Sequence, residues 1–161
     1  MARKVFFSFH YQRDIWRACI VRNSGVVEGV AAAGFSDASI WEEAKKKGDA
    51  AIRKMIDDAL IGTSVTAILI GAETANRTYV NYEIEKSIER GNGILGVHIH
   101  NIKDQNGRTD TVGAVPKKLL DGAYSVYIWD REKFGDWVED TYKKAQEKKA
   151  QAAKSKPFGS W

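Results

Sequence analysis

Val5-Phe6-Phe7-Ser8-Phe9-His10-Tyr11 is an apolar run that breaks off into hydrogen-bonding residues. Consecutive large apolar side chains need cover on both faces, which predicts a strand buried inside a sheet. Ser64-Val65-Thr66-Ala67-Ile68-Leu69-Ile70 repeats the pattern and is closed by Gly71. Residues 94–100 and 125–129 read as further strands. Val26, Val27 and Val30 suggest a short one inside the Gly-, Ala- and Ser-rich stretch 23–39, which otherwise reads as a long surface loop.

Helical spacing fills the intervals. Residues 14–21 place Ile15, Ala18, Cys19 and Arg22 at helical steps. Residues 49–60 are the clearest amphipathic segment, with Ile52, Met55, Ile56 and Leu60 inward, Asp49 as a cap and Gly62 just past the end. Thr78 is the expected cap of a helix over 79–90, and Gly91 its terminator. A last helix spans 134–153 with Trp137, Val138 and Tyr142 inward. Residues 101–122 read as a long polar connection broken by Asp104, Asn106, Gly107 and Pro116. Strands alternate with helices, and the connections are too long for hairpins. This pattern predicts an α/β fold with a parallel sheet and helices on both faces. Ligands of such sheets sit beyond the carboxyl ends of the strands, here residues 8–11, 71–74 and from His100 onward.

At 161 residues the chain fits one domain with a single sizeable core. The reading divides it into a domain over 1–144 and a basic tail over 145–161, the part expected to fray. The formal charge of +4 is concentrated near that end, at Lys143, Lys144, Lys148, Lys149, Lys154 and Lys156. A solvated helix face accounts for this cluster better than a nucleic-acid grip. Cys19 is the only cysteine, which excludes an intrachain disulfide and any multi-cysteine metal site. No stretch approaches the ~18 continuous apolar residues of a membrane span, and the opening residues carry no signal-peptide core. A cytoplasmic location is the expectation.

Some motifs carry less than they promise. Gly91-Asn92-Gly93-Ile94-Leu95-Gly96 matches the dinucleotide fingerprint G-x-G-x-x-G, but it leaves a helix and enters a strand. The phosphate-binding mechanism requires the reverse order, so Gly91 is read as a helix terminator. His98 and His100 point to one face of a strand without the further ligands a metal needs. Arg13, Arg17, Arg22 and Arg77 could fork to phosphates, and Phe9, Tyr11, Trp16, Phe35, Trp41, Tyr79 and Tyr82 crowd the expected mouth of the sheet. Glu83 is the sharper case. Val80, Ile84 and Ile88 define the expected buried stripe of its helix, leaving Glu83 on the margin, about 100° from the centre. A carboxylate there, near the strand ends, is a candidate site residue, although position alone favours a solvated or capping role.

These residues also form a familiar set. Val5-Phe6-Phe7-Ser8-Phe9-His10 resembles the opening strand of TIR domains, and Ser64 through Gly71 resembles their central strand. Tyr79-Val80-Asn81-Tyr82-Glu83 resembles the W-x-x-x-E element, with tyrosine in place of tryptophan. Residues 3–11, Phe35-Ser36-Asp37-Ala38-Ser39-Ile40-Trp41-Glu42 and Tyr82-Glu83-Ile84-Glu85-Lys86-Ser87-Ile88-Glu89 are similar to the TIR-like proteins of bacterial Thoeris antiphage systems. The likeness covers roughly residues 3–130. It implies a flavodoxin-like, three-layer fold with a central, mostly parallel sheet. It also implies an enzyme that takes NAD+ as substrate, with no separate cofactor and no metal, and cleaves the nicotinamide–ribose bond. A cyclised ADP-ribose signal would then reach a separate effector.

On this resemblance Glu83 carries over as the catalytic residue. Phe6, Phe7, Ser8, Phe9, His10, Asp37, Ser39, Trp41 and Tyr79 carry over as substrate-binding residues. Self-association and a phage-derived trigger are further implications, with no membrane or nucleic-acid partner. Two other readings remain open: a non-catalytic TIR-like interaction or phage-sensing module, and a phospho-receiver-like domain. The second lacks an acidic cluster at the end of the first strand.

Overall fold

The structure, a computed structural model, describes residues 3–25, 27–35 and 39–155, with only the backbone of Ser39 and Ser155. Five strands form one sheet: β1 (Lys4–Ser8), β2 (Glu28–Val30), β3 (Val65–Ile70), β4 (Gly93–His98) and β5 (Val126–Ile128). Every pairing is parallel and the order is β2-β1-β3-β4-β5. This is the flavodoxin-like arrangement, in which the chain grows outward in one direction from β1 and then in the other from β3. The reversal opens a crevice beyond the carboxyl ends of β1 and β3.

Six helices cover the sheet: α1 (Tyr11–Arg22), α2 (Ser39–Lys47), α3 (Asp49–Leu60), α4 (Thr78–Arg90), α5 (Lys117–Asp121) and α6 (Phe134–Ser155). The two-residue period of the strands decides which side chain meets which layer. On β1, Phe7 faces α6, its ring stacked 6.2 Å from that of Phe134. Ser8 faces the other way, toward α4. On β3, Ile68 and Ile70 pack with Val80 and Ile84 of α4, whereas Ala67 and Leu69 belong to the core shared with α1 and α6. Both faces of β3 are therefore covered, which is why its sequence is an unbroken apolar run with all six residues buried.

A buried polar chain fixes α4 on the sheet. Asn92 Nδ2 donates to Thr66 Oγ1 and to Thr63 Oγ1, Thr66 Oγ1 donates to Ser87 Oγ, and Ser87 Oγ donates to the carbonyl of Glu83. The buried side chains of Asn92, Thr66 and Ser87 thereby find partners. Gly91, at φ 78°, ends the helix in the left-handed conformation expected of a terminating glycine. The G-x-G-x-x-G match therefore lies across a helix end and a strand start, as its order implies.

Several expectations are corrected. The helix expected over 14–21 begins at Tyr11 and buries Tyr11, Asp14, Arg17, Ala18 and Val21, leaving Arg22 outside. Helix α2 begins at the last residue of the stretch expected to be loop and fills residues for which no element is expected, and α5 interrupts the polar connection. Asp49 and Thr78 are first residues of their helices rather than side-chain caps. Helix α6 reaches Ser155, two residues beyond the expected 153. Residues 101–116 are closely fastened. Arg17 Nε donates to the carbonyl of Ile102 at 2.7 Å and its Nη2 to that of Arg108 at 3.0 Å. Among the described residues no helix is long and apolar enough to cross a membrane.

The contact between β4 and α6 leaves no room at Gly93, where an added Cβ would lie 2.7 Å from the backbone oxygen of Thr141. Gly93→Ala is expected to cost about 1–3 kcal/mol of stability. Urea unfolding should show a lower midpoint at unchanged slope.

Candidate functional site

A cavity of about 200 Å³ opens at the crevice between β1 and β3. Phe9, His10 and Tyr11, which follow β1, form one side, and Asn76 to Val80 and Glu83 from the start of α4 form the other. Trp41 of α2 closes the aromatic end. Tyr11 lies under it, ring to ring at 4.9 Å and nearly parallel, and Tyr79 meets it edge-on at 5.4 Å. Phe9 stacks on Tyr11 at 4.4 Å. The Tyr11 hydroxyl accepts the N–H of Ala33, and Tyr79 donates to Asp49 Oδ1. The rings are thus held by polar anchors at their outer ends, with their faces left to pack.

Glu83 sits at the inner end. It is 2% exposed, whereas Ile88, expected to face inward, is 42% exposed. The buried face of α4 is Val80, Glu83, Ile84 and Ser87, rotated toward Glu83 from the stripe expected on apolar spacing alone. The reason lies in the sheet: Ser8 and Thr66 offer hydroxyls, and a helix face carrying Glu83 and Ser87 matches them. Ser8 Oγ donates to Glu83 Oε1 at 2.8 Å, while Oε2 is buried with no partner among the described residues. Burial pushes the carboxyl well above its ordinary 4.5, and the Ser8 hydrogen bond opposes that rise only in part.

Of the residues expected at the site, Phe9, His10, Trp41, Tyr79 and Glu83 line the cavity, and Ser8 reaches it through Glu83. Phe6 and Phe7 are fully buried beneath it and do not line it. Asp37 and the side chain of Ser39 lie outside the described residues. Trp16 is turned to solvent, and Phe35 packs under the site against Phe7 and Phe9. Tyr82 points to α3, where it donates to Asp57. His98 and His100 stand 5.9 Å apart as rings, and no cluster able to hold a metal ion occurs among the described residues.

The four arginines separate clearly. Arg13 pairs with Glu73 and Asp110, Arg17 with backbone carbonyls, and Arg22 lies over the Phe35 ring. Only Arg77 stands at the cavity. Asn76, Thr78, Val80 and Tyr11 also line it without having been singled out as binding residues. Their one signal in the sequence is position, shortly after β1 or around the start of α4.

The family model for Thoeris protein ThsB, TIR-like domain, matches residues 6–104, more than half of the chain. The chain belongs to this family. ThsB1 of Bacillus cereus (strain MSX-D12), a protein named for cyclic ADP-D-ribose synthesis, is 46% identical over 148 residues, covering 86% of this chain and 76% of the relative. The matched span of the ThsB model contains every residue that lines the cavity, from Phe9 to Glu83.

The state of Glu83 has a measurable consequence for stability. A carboxyl whose pKa is raised on folding holds its proton more tightly in the fold. Its contribution to stability is whole below 4.5 and is lost as the pH climbs through the raised value. Glu83→Gln, which removes the charge and keeps the shape, should therefore melt higher than the parent at mildly alkaline pH. The gap should close as the pH falls toward 4.5. Thermal melts across that range check the sign.

Proposed function

We propose that this ThsB-family chain is an enzyme that cleaves NAD+ between nicotinamide and ribose and closes the remaining ADP-ribose into a cyclic signal for antiphage defence. One observation carries the reading: a fully buried carboxylate with an unpartnered oxygen faces a cavity just large enough for part of a nucleotide. Membership of the ThsB family and the 46% identical relative named for cyclic ADP-D-ribose synthesis support it.

The chemistry suits the residues. Breaking the C1′–N bond sends its electron pair to the nicotinamide nitrogen, which leaves as a neutral base. Positive charge then spreads over C1′ and the ring oxygen of the ribose. Glu83, fixed by Ser8 and shielded from water, stabilises that charge in a setting where electrostatic attraction is strong. The nicotinamide ring is already cationic in the substrate, so no general acid is required, and one carboxylate suffices. A nucleophilic atom of the adenosine half then attacks C1′ and gives up any proton it carries. Exclusion of water by the wall of Phe9, Tyr11, Trp41 and Tyr79 favours ring closure over hydrolysis. The cyclic product would diffuse to a separate effector, and a phage-derived component would act as the trigger. Self-association through the TIR-like domain belongs to the same proposal.

Burial that raises the Glu83 pKa also couples its ionisation to binding. A pyridinium cation arriving beside the carboxyl favours the charged form and drives the proton off. Two results are expected from nicotinamide release followed by chromatography. Glu83→Gln should lower kcat by roughly 10²- to 10³-fold or more while the circular dichroism spectrum stays unchanged. In the parent, kcat/KM should rise with pH across the elevated pKa of the free enzyme, and the corresponding limb of kcat should lie at lower pH. Parent-like turnover in Glu83→Gln would remove Glu83 from the mechanism, whereas no nicotinamide release with and without phage lysate would leave the chain an interaction module.

A further inference from the structure

We propose that Arg77 and the first turn of α4 form a subsite for the diphosphate of a nucleotide, one sugar away from Glu83. The inference rests on the reading of Glu83 as the carboxylate that meets a ribose, and it adds the group that fixes the other end of that sugar.

Three features of the cavity converge, two on an anion and one on a hydroxyl donor. First, α4 is thirteen residues long, its N-cap side chain makes no capping hydrogen bond, and the N–H groups of Thr78, Tyr79 and Val80 have no acceptor among the described residues. All three of these residues line the cavity. Free N–H groups at the positive end of a helix are a ready site for phosphate oxygens. Second, Arg77 stands at the same rim and its guanidinium makes no hydrogen bond or ion pair among the described residues, whereas Arg13 and Arg17 are paired and Arg22 lies over the Phe35 ring. A guanidinium presents paired N–H groups that match two phosphate oxygens. Third, the unpartnered Oε2 of Glu83, buried and facing the cavity, asks for a hydroxyl donor at the opposite end.

A ligand satisfying all three features must carry hydroxyls at one end and negative charge at the other. That is a sugar phosphate. The spacing agrees, since six residues of helix rise about 9 Å, and the long arms of Arg77 and Glu83 close part of that distance. The diphosphate of a dinucleotide, joined to the ribose through its 5′ carbon, then lies under Arg77 while the C1′ side faces Glu83. The aromatic wall of Tyr11, Trp41 and Tyr79 is left for a base.

His10 gives a reporter inside the same cavity. It is half-buried, and its neighbours in charge are Arg77 and Arg13, which oppose its protonation, and Glu73, which favours it. Burial and Arg77 together hold its imidazole below the ordinary 6.5. A diphosphate seated against Arg77 would cancel part of that repulsion and raise the His10 pKa.

The test is an NMR titration of the histidine ring signals, with His10 assigned by its loss in His10→Gln and ADP as the probe. ADP should raise the His10 pKa in the parent and in Glu83→Gln, but not in Arg77→Gln. It should do so at concentrations where inorganic phosphate has no effect. In steady-state assays with NAD+, Arg77→Gln should raise KM by about 10- to 100-fold, with the loss falling on KM rather than kcat, and Arg77→Lys should recover part of it. The proposal is overturned if ADP leaves His10 unmoved in the parent, if Arg77→Gln binds ADP as the parent does, or if inorganic phosphate is as potent as ADP. An ADP-dependent shift in a Glu83→Gln protein that still releases nicotinamide would remove Glu83 from the mechanism yet leave the diphosphate subsite standing.

Discussion

A carboxylate carried into the seam between β1 and α4, with one hydroxyl to receive it, is the constraint around which this fold is arranged. Burying a charged group without full compensation is expensive, and an apolar residue at the same place would pack against the sheet at no such cost. The surrounding polar residues make sense in this light. Ser8 supplies the one hydrogen bond to the carboxylate, and the chain Asn92–Thr66–Ser87 holds the backbone of α4 so that Glu83 cannot rotate away. A group kept at such expense beside an open cavity is the mark of a working site.

The order of the strands explains why the cavity lies where it does. Reversal between β1 and β3 separates the connections that leave them, and the chain after β1 and the chain before α4 become opposite walls of one cleft. The two walls come from residues some seventy positions apart, yet both begin at strand ends. The parallel sheet alone brings them together. Helix α2 then adds Trp41 from a third part of the chain, tied to α1 by a side-chain bond between Gln12 and Glu42.

Much of this was legible in the residues. The apolar runs of β1 and β3 stand out because both faces of each strand are covered, and the bounds of α3 follow from its regular spacing of Ile52, Ile56 and Leu60. Gly91 announces the end of α4. The phase of α4 was harder to read. Apolar spacing points to Ile88 as an inward residue, and only the hydroxyls of the facing strands show that Glu83 and Ser87 belong inside instead. Helix α2 was hidden because Lys45, Lys46 and Lys47 dilute its apolar face, and a helix that rests on another helix needs only a narrow one. Arg77 could not be told from Arg13, Arg17 and Arg22 in the sequence. What distinguishes it is a guanidinium with no hydrogen-bond or ion-pair partner among the described residues, and that is a property of the fold.

The cavity is bounded by sides of unequal compliance. Beside Glu83 the boundary is a sheet and a helix locked by directional hydrogen bonds, which set positions to a fraction of an ångström. Beside Trp41 it is stacked rings, whose attraction varies little as one slides over another. On the function proposed above, recognition is strict where the sugar would lie and forgiving where a base would lie. Replacing residues on α2 would then alter the volume and outline of the forgiving end while Glu83 stays where Ser8 holds it, so one such scaffold could serve more than one ring-closed product.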